Sequence, residues 1–457
     1  MKLKRCFYAL LAAIFGLTLV ACNNGDNTGN QFSKPMQVYV GTESVLYYQD
    51  ILDAYVAEKN LPFTIEVTGT DTGSYANTFL QDTKKGADIF VTAHDNLGKL
   101  LDGAGTIAPV TSKKLTTQME DNTDSVFLRA CFLSQGGSQP AYYAVPLIRQ
   151  SLVLYYDKSA FAGNEAALEN WDTILEVAAS QNKMATTYMG TDGYSYSHWL
   201  LAQPADAKTK AAFGENGTLE LFADGQIEKN YAWGADQVLI HKYASAFTNN
   251  PAGRNGQITS ASWEGELSTG KVVTLIGGAW SLKSVQNAFG KSNYGVTVLP
   301  KFTVDGYTFQ SGSFYDVKCL VKKKDSAYAD YLDEILLLLS SNEVQGGSYL
   351  ECANLPASNN AVDPATGEKV VYDALAQAQI NQGQSAGLPQ PFGVKPTYNP
   401  AYYSTGTDKL FIALHETANP TDADIKAALQ KISYYWAHNG APVNEADIQT
   451  WVNGYGK

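Results

Sequence analysis

The stretch Gly86-Ala87-Asp88-Ile89-Phe90-Val91-Thr92-Ala93-His94-Asp95-Asn96-Leu97-Gly98 decides how the chain folds. Its apolar run at Ile89, Phe90 and Val91 does not alternate, which is the pattern of a strand buried on both faces. Polar residues follow at once, where the next helix begins. Working outward, residues 36–42 read as a strand, 45–59 as a helix, 63–68 as a strand, 75–84 as a helix and 87–92 as the buried strand. Residues 95–101 open another helix, and 103–110 close the unit. Strands separated by helices predict a mostly parallel sheet covered on both sides. In an open α/β sheet of that kind ligands meet the carboxyl ends of the strands. Thr92, Ala93, Asp95 and Asn96 stand at that edge, as do Thr42 and Glu43 after the first strand. Asp95 is placed either to cap the helix or to hold the hydroxyls of a polar ligand, and His94 is read as structural.

The rest of the chain continues in the same style. Residues 144–156 form a long extended stretch interrupted by Pro146 and polar at Arg149 and Gln150. Helices are expected over 164–180 and 232–247, and strands over 272–276, 294–299 and 316–321. From residue 326 the chain is mainly helical, with Pro-, Gly- and Asn-rich breaks at 353–367 and 383–400. No internal repeat and no long linker separates two halves, so two α/β lobes are expected to share the chain, with several crossings.

Size and charge bound the function. The chain has 457 residues, 45% of them apolar and 17% charged. That is enough to bury large cores and too long for one ordinary domain. The 33 Lys and Arg against 45 Asp and Glu give a formal net charge of −12. Such a surface repels phosphate backbones and argues against nucleic acid as partner. The 28 tyrosines exceed the 18 phenylalanines, as a surface of rings with one wet edge requires.

Lys2, Lys4 and Arg5 precede an apolar run over 6–20. The run is short for a span of roughly 20 residues and fits a secretory leader. It ends in Leu19-Val20-Ala21-Cys22, which resembles the lipobox of bacterial lipoproteins. The resemblance implies a leader over 1–21 and a lipid on Cys22. The alternative is an ordinary leader that holds a cysteine. The polar, Asn- and Gly-rich segment up to residue 35 is then a flexible tether; its residues 23–34 reach at most roughly 40 Å. The protein is expected on the outer face of a membrane, attached by its lipid. Of the remaining cysteines, Cys131, Cys319 and Cys352, either all three are buried thiols or Cys319 pairs with Cys352.

Catalytic and metal signatures are weak. Gly383-Gln384-Ser385-Ala386-Gly387 fits G-x-S-x-G, but a nucleophile elbow needs a strand before it and a helix after it. Here a helix precedes and a loop follows. Gly290-Lys291-Ser292 lacks the leading glycine of a phosphate loop, since position 285 is Val. The five histidines are never spaced i, i+3 or i+4, so no metal site and no cofactor are expected.

Three runs carry the positive signal. They are the opening stretch, residues 142–158 (YYAVPLIRQSLVLYYDK), and Gly277-Gly278-Ala279-Trp280 followed by Tyr294-Gly295-Val296-Thr297-Val298-Leu299-Pro300. With Asn170-Trp171-Asp172-Thr173-Ile174, they resemble, in order and spacing, the maltose/maltodextrin-binding proteins of ABC importers, within the extracellular solute-binding family. The likeness covers nearly the whole mature chain and fades over 189–247 and after 367. It implies a two-lobed, periplasmic-binding-protein-like α/β fold with a hinge and an interlobe cleft. Its N-terminal lobe would hold 36–148 plus 313–356, and its C-terminal lobe 149–312 plus 357–457. It implies a monomeric, non-enzymatic receptor that binds oligosaccharides and delivers them to membrane permease subunits.

By the same resemblance Ala93 and Asp95 match sugar-contacting positions, and Trp280 matches the main stacking ring. Tyr402 and Tyr403 fall in a late aromatic pair, Thr42 and Glu43 at the first polar contacts. Tyr194, Tyr196 and Trp199 lie near an acidic-aromatic segment. Thr92, Asn96 and Gln150 stand where the family archetype has Trp, Arg and Glu, which alters the hydroxyl network and puts maltose-type specificity in question. For Trp280, Tyr402 and Tyr403 the competing reading is core packing. A receptor of this fold for another oligosaccharide is the main alternative function; a surface glycosidase or a lectin without transport is the remoter one.

Overall fold

Val38 and Val40 are buried while their chain neighbours Gln37 and Tyr39 are half-buried, whereas all five residues from Ile89 to Ala93 are buried. That contrast separates a strand with one wetter face from one enclosed on both. The computed structural model describes residues 32–102, 105–135, 138–188, 194–215, 217, 233–248, 263–389, 420–437 and 444–454. Among these the strands of four or more residues are β1 (Met36–Gly41), β2 (Ile65–Thr70), β3 (Ile89–Ala93), β4 (Val145–Gln150), β5 (Val153–Asp157), β6 (Met184–Thr187), β7 (Val272–Gly277), β8 (Tyr294–Thr297), β9 (Lys301–Val304), β10 (Tyr307–Gln310) and β11 (Ser313–Lys323). The chain divides into two compact units, Met1–Arg149 with Val317–Val371 and Gln150–Asp316 with Tyr372–Lys457.

In the first unit β1 pairs in parallel with β2 and β3. The next neighbour, β11, runs antiparallel to β3, with Ala93 opposite Lys318 and Ile89 opposite Lys322. The mostly parallel sheet expected from the sequence is thus mixed, with β1, β2 and β3 parallel and β11 antiparallel. β11 reaches the sheet after the long excursion of residues 150–316 through the other unit, so no crossover helix imposes a parallel direction on it. Helix Val45–Lys59 buries Tyr48, Ile51, Leu52 and Tyr55 in the core of this unit and ends where Asn60 turns left-handed at φ 49°. Helix Ala329–Leu339 buries Leu336 to Leu339 in the same core. Each such leucine contributes roughly 2 kcal/mol of burial free energy. Residues 357–371 belong to this unit, with Ala357 N donating to Leu147 O (3.0 Å) and Asn359 N to Asn122 O (2.8 Å).

In the second unit the sheet order is β8-β5-β7-β6. β5 lies antiparallel to β7 and β8, and β6 parallel to β7. The extended stretch expected over 144–156 is two strands, broken at Ser151-Leu152, where Leu152 N donates to Ser313 Oγ (2.8 Å). The helix expected over 164–180 breaks at Asn170, whose side chain accepts from Asp172 N (2.8 Å) and starts helix Trp171–Ser180. β9 and β10 form a hairpin closed by Asp305 and Gly306, both with positive φ (49° and 78°). That is the backbone an Asp-Gly two-residue turn supplies. Trp171, Trp199, Phe247 and Phe302 pack at the centre, and the Trp171 indole donates to Ser311 Oγ (3.2 Å).

Cys131 and Cys319 are fully buried, Cys352 is half-buried, and no disulfide joins any of them. The alternative pairing of Cys319 with Cys352 is thereby corrected: the sulfur beside Cys319 is that of Cys131, at 3.4 Å. Ser385 of the G-x-S-x-G match sits near the end of helix Ala374–Ala386, with a short strand, Gly387–Pro389, after it. This is the reverse of a nucleophile elbow.

Candidate functional site

The carboxyl ends of β1, β2 and β3 gather the polar residues of the first unit. After Gly41 the chain makes a single tight turn, Thr42–Ser44, before its helix. Thr42 and Glu43 are exposed, and the Glu43 carboxylate folds back over Gly41, filling the space a Cβ would need there. Gly69 of β2 lets this turn come close, since a Cβ there would stand 3.0 Å from Thr42 Cα. After β2, Gly73 N (2.9 Å) and Ser74 Oγ (3.0 Å) donate to the Asp71 carboxylate. The Gly73 bond chiefly, with Ser74 and the nearby Lys318 ammonium, holds that carboxyl below the ordinary range against the opposing effect of burial.

At the end of β3, Ala93 N donates to Thr72 O (3.1 Å), tying the two loops together. Asn96 is buried, and its amide nitrogen lies within reach of Gly73 O (3.2 Å), Ala93 O (3.3 Å) and Asp95 Oδ1 (3.3 Å). Its amide hydrogens are thus engaged inside the loop. Asp95 is half-exposed and lies near Lys99, whose ammonium is pushed below its usual pKa by burial while Asp95 opposes that shift. Thr92 is fully buried, and its hydroxyl has no hydrogen-bond partner. His94 is likewise buried, with Nδ1 accepting from Val317 N (3.2 Å), which gives it the structural place read from the sequence.

In the second unit the decisive side chain is Trp280. The buried strand β7 ends in Gly277, and Gly278 leads into the turn Ala279–Ser281 and helix Leu282–Phe289. The indole is 49% exposed, so it is not a core residue. One face of its six-membered ring lies against Gly278, where a Cβ would collide with the ring carbons. Tyr155 Oη donates to Gly278 O (3.0 Å) and fixes this turn. Tyr194 follows at a ring distance of 5.8 Å and 58° from Trp280, and Phe314 at 6.5 Å from Tyr194. Tyr194 is 4% exposed, and Tyr196 and Trp199 are enclosed in the core, where Tyr196 meets Tyr188 edge-on. Gln150 closes β4, half-buried. Cys22, Tyr402 and Tyr403 lie outside the described residues.

The first unit therefore brings together Thr42, Glu43, Ala93, Asp95 and Asn96. The second brings Trp280 to Tyr194 and keeps Tyr196 inside. The Asp71–Ser74 loop and the Gly278 platform were not read from the sequence, although Asp-x-Gly-Ser after a strand and Gly-Gly before a tryptophan are the local signs of both. Chemically, the first set offers carboxylates for hydroxyl groups, and the second a flat apolar face. Among the described residues no group of three or more His, Cys, Asp or Glu could hold a metal ion.

The sequence model described as bacterial extracellular solute-binding protein matches residues 50–370. This chain belongs to that family. Its fold is that of the solute-binding proteins: the maltodextrin-binding protein MalE1 from L. casei BL23 without ligand superposes with a TM-score of 0.69 at 16% identity, over 89% of this chain and 99% of the other. A cyclo/maltodextrin-binding protein complexed with maltotetraose gives 0.63 at 19% identity, over 88% and 97%. In sequence, the maltodextrin-binding protein MdxE of Bacillus subtilis (strain 168) is 24% identical over 398 residues, covering 84% of this chain and 87% of its own length. As a member of an extracellular family, this solute-binding protein works outside the cytoplasm. No helix among its described residues is long and apolar enough to cross a membrane.

Proposed function

We propose that this solute-binding protein is the lipid-anchored receptor of a carbohydrate ABC importer, and that it takes up oligosaccharides of the maltodextrin type. The observation that carries the reading is the half-exposed indole of Trp280, seated on Gly278 and flanked by Tyr194. A sugar ring has one C–H face and a rim of hydroxyls, so it needs an aromatic plane beneath it and polar groups around it. Trp280 supplies the plane, and Asp95, with Glu43 and Thr42, supplies hydroxyl partners from the other unit. Each stacked ring contributes about 0.5–1.5 kcal/mol beyond area burial. A wrong epimer is rejected because a buried donor left unpaired costs roughly 1–3 kcal/mol.

A ligand that touches both units favours their closed arrangement by its differential affinity, and closure signals occupancy to the permease. The names of the sequence relative and the structural neighbours support maltodextrins as the ligand class. The leader and Cys22 support attachment to the membrane by lipid. The protein returns its ligand unaltered.

Calorimetry of the wild type and Trp280→Ala against maltose through maltohexaose tests this. The wild type binds at least one of them, the variant at least tenfold more weakly, and chromatography recovers the sugar intact. Equal affinity removes Trp280 from the site, and shortened sugar makes the protein an enzyme.

A further inference from the structure

The two fully buried thiols of the first unit form a site of their own. Cys131 ends helix Ser125–Cys131, and its carbonyl accepts from Tyr143 N (3.0 Å). Cys319 sits in the interior of β11, in register with Thr92 of β3. Both backbones are therefore fixed, one by a helix end and the other by the sheet. The two sulfurs stand 3.4 Å apart at zero exposure. A disulfide requires about 2.05 Å, so the sulfurs need approach by roughly 1.4 Å. We infer that Cys131 and Cys319 are an oxidisable pair that closes to a disulfide when the chain folds outside the cytoplasm, where such bonds persist.

The step balances as thiol–disulfide exchange with an oxidant of the disulfide class, such as glutathione disulfide. The thiolate of one cysteine attacks the oxidant's S–S bond, which breaks, and one glutathione leaves as a thiol. The second cysteine's thiolate attacks the mixed disulfide, the Cys131–Cys319 bond forms, and the second glutathione leaves. The protein gives up two electrons and two protons, and the oxidant becomes two thiols. Burial blocks access to both sulfurs, so the bond forms during folding, before the core closes over them. Once made, it joins residues 188 apart in sequence. It also braces the strand beside Thr92, at the base of the Thr92–Asn96 loop.

The full chain, reduced and unfolded, is refolded in a buffer of reduced and oxidised glutathione, alkylated, digested and mapped by mass spectrometry. The Cys131 and Cys319 peptides are expected as one species lighter than their sum by two hydrogens, about 2 Da, with Cys352 alkylated. Cys352→Ser keeps this link. The same mapping on chain exported by an expression host to its oxidising periplasm, and never reduced, ensures that poor refolding does not decide the result. Alkylation of both Cys131 and Cys319 in the two preparations, or a link through Cys352, overturns the inference.

Discussion

Gly278→Ala separates the role of the Trp280 ring from its bulk. The backbone at Gly278 (φ −106°, ψ −165°) suits any L-residue, so the substitution strains no torsion. The new Cβ would instead fall among the ring carbons of Trp280, the third nearest being Cε3 at 2.7 Å. Carbon contacts relax at about 3.5–4.0 Å, so the indole must swing away by roughly 1 Å or more. It can do so because half of it faces solvent, and stability should change by well under 1 kcal/mol. Stacking on the displaced ring is lost, at about 0.5–1.5 kcal/mol per sugar ring, which is roughly a two- to twelvefold rise in Kd. Calorimetry with maltotetraose, with circular dichroism and thermal melting as controls, reads this out. A variant that binds within the error of wild type while its indole fluorescence shows a changed environment would refute the stacking argument.

Three further predictions concern stability. His198 and His241 are held neutral by burial, each pushed down to about 3. The unfolded chain binds these protons at about pH 6.5, so stability is full above that and falls as the pH drops toward 3, by up to about 1.4 kcal/mol per unit for each group. Urea titrations at pH 7 and 5 should show this loss, and His198→Gln should about halve it, since His241 remains; a pH-independent midpoint contradicts it. Asp333 accepts from the nearly buried Lys322 and from Thr111 N (2.9 Å), Thr111 Oγ1 (2.7 Å) and Ser112 N (2.9 Å). Asp333→Ala strands that ammonium and should cost about 3–5 kcal/mol in urea unfolding, whereas a loss below 1 kcal/mol would show that Lys322 finds water. Gly346→Ala places a Cβ on the carbonyl of Val362, which is backbone and cannot rotate away; a drop of several degrees in melting temperature is expected, and an unchanged melt contradicts the packing.

Much of the fold is legible in the sequence because it follows local periodicity. The unbroken run at Ile89–Val91 marks β3, and the Gly-Gly before Trp280 marks the end of β7, whereas the outward place of the ring comes only from the family resemblance. What is not legible depends on partners distant in sequence. The direction of β11 is set by its arrival from the second unit and not by its own residues. The sulfur next to Cys319 belongs to Cys131, 188 residues away, and no spacing rule reaches that far. Asn96 reads as a ligand contact because it is polar and at a strand end, yet its amide is taken up by Gly73 O and Ala93 O. Tyr196, a candidate ligand contact through the family's acidic-aromatic segment, is covered by Tyr188 and the tryptophan cluster. A single polar edge on tyrosine does not tell in which direction the ring will face.

The most direct measurement is a crystal structure of the mature chain grown with maltotetraose. The account predicts a glucose ring lying flat against the free face of Trp280, with sugar hydroxyls in hydrogen-bond reach of Asp95. Sugar bound elsewhere, with the indole bare, would contradict it.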